Sequence, residues 1–301
     1  MVYNAIDINN SNRNLVALIS YGDKEKIRDK NLREHRITNQ FSHLKSILKP
    51  YNFDFFPNYR SKGAVISIYD KYETTLQKFA NKKSNKLAYR WNMIKPIIED
   101  YEQLQSSLIH RDIKFGNIVC KALGISDISE PYNNFTCVLI DFEFSLLKEE
   151  WQENKSISQM LGTTVNLAPE LFNRYSLSKQ FWAHLKKRET FSFGMILLAL
   201  FGFRTEYEIC LSFLRKMYNI QKSADIVDRI KQRKNEEIIG LFSKWFLDNR
   251  TKNNKSAYLS LRKLLLDMVN PSYIQRPELH KCRVRIDNFI SNHPLLTNEH
   301  Q

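Results

Sequence analysis

Hydrophobic periodicity changes character near residue 72, and this change limits the folds open to the chain. Before it, short β-like runs at residues 2–8, 15–20 and 64–69 surround one amphipathic stretch, 29–48, whose apolar residues recur at helical spacing. From Leu87 onward the pattern is mainly helical, interrupted by two short strands at 117–120 and 137–140. No internal repeat occurs, and no linker rich in glycine, proline or serine divides the sequence. With 301 residues the chain can bury a sizeable core. The expected class is α+β: a small β-rich lobe over residues 1–72 and a larger, mainly helical lobe over 73–301, joined in one domain.

The longest uncharged apolar stretch, 190–203, is shorter than the roughly 20 residues a membrane-spanning helix needs, so a buried helix is expected there. Residues 1–4 carry no basic segment followed by an apolar run, so no secretory signal is expected. Forty-six basic against thirty-two acidic residues leave a net charge of +14, which draws a protein toward acidic partners and leaves room for an anionic membrane surface. The basic residues are dispersed, with small clusters at 186–188 and 229–234 and no interleaved aromatics. A solvated basic face is expected there, and specific nucleic-acid binding is not. The four cysteines, Cys120, Cys137, Cys210 and Cys282, stand too far apart in sequence for a metal knuckle or a redox pair. A reducing compartment is the resulting expectation.

Chemistry concentrates in His110-Arg111-Asp112-Ile113-Lys114-Phe115-Gly116-Asn117, followed after a short apolar strand by Asp141-Phe142. A carboxylate, an ammonium and a carboxamide at this spacing, with a second carboxylate one hairpin later, suit metal-assisted phosphoryl transfer. That chemistry needs negative charge neutralised and an acceptor hydroxyl held in line.

These residues resemble the protein kinases, whose catalytic loop reads H-R-D-x-K-x-x-N and whose metal-binding turn reads D-F-G, with Glu143 here in place of the glycine. Further landmarks follow in order. Gly162-Thr163 and Ala168-Pro169-Glu170 match the end of an activation segment. Thr190-Phe191-Ser192-Phe193-Gly194 opens a long apolar helix, with Glu189 at the position of a kinase aspartate. Asn270-Pro271 and Arg276-Pro277 match the late segment whose arginine pairs with the Ala-Pro-Glu glutamate. Glu170 and Arg276 are therefore expected as a buried ion pair that fixes the fold. Glu189 and Ser192 are expected to satisfy free N–H groups at a helix start.

The resemblance implies a protein-kinase-like two-lobed fold and transfer of the γ-phosphate of ATP to serine or threonine of a protein substrate. Asp112 would orient the acceptor hydroxyl, Lys114 would lie against the γ-phosphate, and Asn117 and Asp141 would hold Mg2+. Lys114, with Thr163, marks the serine/threonine class. Tyr69 would guard the adenine pocket, 70–72, including Asp70 and Tyr72, would be the hinge, and Val2 and Ala17 would line the nucleotide. Arg111 beside the base is the arrangement of kinases switched by phosphorylation, for which Ser156, Ser158 and Thr164 are candidates. The resemblance also implies an intracellular, reducing site of action in the cytoplasm or, for a secreted effector, the host cytosol.

The small lobe departs from the family pattern. Residues 1–5 resemble the strand that leaves the glycine-rich loop, which would then lie before residue 1. Val16-Ala17-Leu18-Ile19 resembles Val-Ala-Ile-Lys with isoleucine at the lysine position. Residues 34–43 resemble the αC helix, leaving Glu34 without its usual lysine unless Lys24, Lys26 or Lys30 swings in. Three accounts compete: an N-terminally shortened kinase, a pseudokinase serving as regulator or scaffold, and a chain whose true start lies upstream. A different class enters through Ile140-Asp141-Phe142-Glu143-Phe144, which resembles the choline and aminoglycoside kinases; 162–170 and Arg276-Pro277 argue against it.

Overall fold

A computed structural model describes residues 2–6, 14–59, 62–80, 87–122, 135–153, 167–172, 182–223, 228–250 and 257–293. Among them the fold is mixed α plus β with small antiparallel sheets, and it divides into two compact units. One unit comprises residues 1–79 and 116–143, the other 80–115 and 144–301.

In the first unit, β1 (Val2–Ile6), β2 (Asn14–Gly22), β3 (Asn52–Tyr59) and β4 (Lys62–Asp70) form a sheet in the order β1-β2-β4-β3, antiparallel throughout. β4 is central, and its Ala64 and Val65 are buried. β3 is an edge strand, where Pro57 withholds no N–H that an inner partner needs, and its register slips between Phe56 and Tyr59. Residues 52–59 were not expected as a strand because that proline masks their β pattern.

Helix α1 (Lys24–Gln40) packs against this sheet through Ile27 and Ile37. It starts five residues earlier than the sequence pattern implied, because Asp23 caps it: the Asp23 carboxylate accepts the Lys26 N–H at 3.2 Å. It also stops earlier, and residues 46–48 instead pair with the backbone of Leu139.

Strands β5 (Thr74–Thr75), β7 (Ile118–Ala122) and β8 (Phe135–Leu139) make a second small sheet in the order β5-β7-β8, and the short helix α2 (Leu76–Ala80) follows β5. Cys120 and Cys137 are register partners across β7 and β8 and are joined by a disulfide. This corrects the expectation that no two cysteines pair: seventeen residues apart in sequence, they meet because the hairpin folds one strand back on the other. Disulfides persist where thiols are not kept reduced, so the inference of a reducing compartment loses its support.

The second unit is mainly helical: α3 (Leu87–Leu104), α4 (Lys148–Glu153), α5 (Trp182–Leu200), α6 (Arg204–Lys222), α7 (Asp228–Arg250), α8 (Ala257–Met268) and α9 (Leu279–Asn292), with β6 (Leu108–Ile109) paired to β9 (Leu146–Leu147). Helix α5 is its axis, with almost every residue from Glu189 to Leu200 buried. Gly194 permits α8 to come close: a Cβ there would sit 2.8 Å from Met268 Cβ and from Val269 Cγ1. No described helix is long and apolar enough to cross a membrane.

Candidate active site

The sequence candidates fall into two sets, one in each unit. In the helical unit, β6 leads into the loop of His110 to Lys114. His110 is fully buried, and its Nδ1 accepts the Asp112 N–H at 3.2 Å. Arg111 is held at φ 68°, a left-handed conformation that persists when neighbours fix it. They do: its N–H donates to Glu189 Oε1 at 3.2 Å, and its guanidinium donates to the carbonyl oxygens of Phe144 and Ser145. Asp112 is buried, and Lys114 Nζ donates to its Oδ2 at 2.6 Å, so the expected base and the expected phosphate-binding lysine lie together.

Glu189 and Ser192 act differently from expectation. Helix α5 begins at Trp182, so both lie in its interior, away from the free N–H groups of its first turn. Glu189 instead receives the loop backbone, and Ser192 Oγ bonds back to the Arg188 carbonyl at 3.4 Å. Tyr101, not foreseen from the sequence, completes the bed of the loop. Its hydroxyl donates to Glu189 Oε2 at 2.5 Å and accepts the His110 N–H at 3.0 Å. A tyrosine on the apolar face of a helix reads as core, and only the tertiary fold reveals its polar end. Burial pushes the Glu189 carboxyl up to about 7, against the opposing pull of the Tyr101 hydroxyl and the backbone N–H groups.

Glu170 and Arg276 form the expected buried pair, with two hydrogen bonds of 2.7 and 2.6 Å. The cluster 186–188, read as a solvated face, is corrected at Arg188. This residue is largely buried, its Nε 3.9 Å from Glu170 Oε1, and burial lowers its pKa to about 10. A run of three basic residues at one end of a helix spans more than half a turn, so one of them faces inward.

In the sheet unit, Asn117 is buried just before β7, and its carbonyl accepts the Ile140 N–H at 2.9 Å. Asp141, the next residue along, sits at φ 68°. The left-handed residue of this turn is thus Asp141, and Glu143, which stands where the kinase pattern has glycine, is not in that conformation. Glu34 lies against this turn: the Phe142 N–H donates to its carboxylate, while burial and the Asp141 charge push its pKa up to about 7. Lys30 lies one helical turn before Glu34 and pairs with Glu143.

Tyr69 pairs across the strands with Val16, and burial together with the nearby Glu34 charge pushes its hydroxyl well above the usual range. Asp70 accepts the Tyr51 hydroxyl at 2.5 Å, and the Tyr72 ring lies 5.0 Å from Lys121 Nζ. Ala17 and the backbone of Val2 sit in adjacent rungs of the β1-β2-β4 ladder, beside Ile68 and Leu18 respectively. Ile19 pairs with Ile66, so no lysine occupies that register position. Gly162, Thr163, Thr164, Ser156 and Ser158 lie outside the described residues.

No protein-family model matches the chain. An alignment 136 positions long, covering 42% of this chain, is 30% identical to part of the G-type lectin S-receptor-like serine/threonine-protein kinase SD2-5 of Arabidopsis thaliana; the match covers 14% of the length of that plant protein.

Proposed function

We propose that this chain is a protein-kinase-like phosphotransferase, with the two-lobed fold of that superfamily, that moves the γ-phosphate of ATP to serine or threonine of a protein substrate. The observation that carries the proposal is the buried Asp112 carboxylate, bonded at 2.6 Å to Lys114 on a loop whose backbone is fixed by Glu189. A carboxylate so held is placed to orient an acceptor hydroxyl, and an ammonium beside it to meet a transferring phosphate. Asp112, Lys114 and Asn117 also lie within six residues of chain, a span of at most about 18 Å from first to last. The name of the plant protein that shares the 136-position match, a serine/threonine-protein kinase, points the same way.

Asn117 and Asp141 would hold magnesium. Their side-chain oxygens are hard donors, and the hydrogen bond from Ile140 to Asn117 ties their two chain segments at one point. A bound magnesium ion would neutralise phosphate charge. Glu34, Phe142 and the β7–β8 ladder would keep Asp141 in place for it.

The second possibility, a catalytically impaired pseudokinase acting as regulator or scaffold, is supported by Ile19 at the lysine position, which leaves the half-buried Glu34 without a strand lysine. Thermal shift with Mg-ATP, paired with a phosphate-transfer assay of wild type and Asp112→Ala, separates the two. The kinase reading expects a Tm increase with Mg-ATP and transfer that is lost in the variant. Binding without transfer supports the pseudokinase, and transfer surviving Asp112→Ala removes the assigned base.

A further inference from the structure

The turn that carries Asp141 combines an unfavourable backbone with two contacts from one helix. Asp141 occupies the left-handed region at φ 68°, which is unfavourable for an L-residue and survives where neighbours hold it. The two residues that follow are both held by α1. The Phe142 N–H donates to the Glu34 carboxylate, and the Glu143 carboxylate pairs with the Lys30 ammonium. Glu34 and Lys30 are four residues apart, so they project from one face of the helix. Helix α1 is a firm base for these contacts: Ile27 and Ile37 are buried, and a Cβ at Gly63 of β4 would come within 2.8 Å of Lys24 Cα.

We infer that Lys30 and Glu143 form a positioning clamp that, with Glu34, fixes the backbone of Asp141 in the orientation the proposed metal site requires. The inference rests on the phosphotransferase reading for its catalytic meaning, and on the contacts of this unit for its physical basis. It also gives Glu143 a role. Where the kinase pattern has a freely turning glycine, this chain carries a carboxylate that a helical lysine can grip.

A lysine serving the clamp and a lysine serving a nucleotide phosphate directly behave differently in a double-mutant cycle. The variants are Lys30→Met, Glu143→Gln, their combination and Lys30→Arg. The readouts are the Mg2+ concentration for half-maximal phosphate transfer, kcat, and amide hydrogen exchange of residues 138–145. For a half-exposed pair, each single substitution should raise the Mg2+ requirement about two- to fivefold and speed exchange in the turn. The combination should be no worse than the poorer single, and Lys30→Arg should stay close to wild type. Effects that multiply in the combination, or single variants indistinguishable from wild type in both readouts, overturn the clamp. Wild-type protein that transfers no phosphate overturns the proposed function instead. Exchange then decides the clamp alone: faster exchange in both singles with no further gain in the combination supports it, and unchanged exchange refutes it.

Discussion

Replacing Glu170 with glutamine should destabilise the helical unit by about 3–5 kcal/mol, the usual cost of leaving a buried charge without its partner. The structure supports the upper part of that range. Arg276 is 1% exposed and gives two hydrogen bonds to Glu170. Its remaining donors are committed to the carbonyl oxygens of Asn270 at 2.6 Å, Pro271 at 3.2 Å and Lys187 at 3.4 Å, and its guanidinium lies 4.8 Å from the Phe191 ring centre. It is therefore unable to swing out to water. Arg188 adds a second cation against the same carboxylate, with an Nε that finds no hydrogen-bond acceptor among the described residues. Loss of the carboxylate leaves two guanidinium groups sharing one buried region. All four tryptophans, Trp91, Trp151, Trp182 and Trp245, belong to this unit, so their fluorescence during urea unfolding reports on it selectively. Adding Arg188→Met to Glu170→Gln should recover at least about 1 kcal/mol by removing one orphaned charge. A loss below about 1 kcal/mol in the single variant, or further destabilisation in the double, would refute the reasoning.

The buried Glu189 carboxyl makes stability depend on pH. Its pKa rises from 4.5 to about 7 on folding, so its favourable contribution is complete below pH 4.5 and is lost as pH climbs through 7. Between pH 5 and 8 the fluorescence-detected stability should fall more steeply in wild type than in Glu189→Gln, by about 3 kcal/mol at most; parallel profiles would contradict this. The disulfide predicts two titratable thiols in the denatured, unreduced chain, Cys210 and Cys282, and four after reduction; four from the outset would rule it out. Reduction should also cost the sheet unit on the order of 3 kcal/mol, and Cys137→Ser should abolish the sensitivity to reductant.

What the sequence revealed and concealed divides along physical lines. Features set by local pattern were legible: strands at 14–22 and 62–70, the burial of the run after Thr190, and the complementary charges of Glu170 and Arg276, which stand in recognisable motifs. Features set by tertiary register were not. Cys120 and Cys137 meet only because β7 and β8 pair in one particular alignment, and nothing in their spacing announces it. Lys30 and Glu143 are 113 positions apart, and Tyr101 reaches Glu189 across 88. The sheet unit gathers residues 116–143 with 1–79, whereas a single division near residue 72 follows from the hydrophobic periodicity along the chain. Two local signals were present and outweighed: Asp23 as a helix cap, and the β-rich residues around Pro57.

The ladder between β7 and β8 also bears on which length changes the chain can absorb. Asn117 and Asp141 hang from the same end of it, and their alignment is set by the register that runs from Ile118↔Leu139 to Ala122↔Phe135. A single residue inserted at 118–122 would shift one strand against the other, turn its side chains to the opposite face and part the two cysteines. Natural variants of this chain should therefore keep 118–122 and 135–139 at constant length.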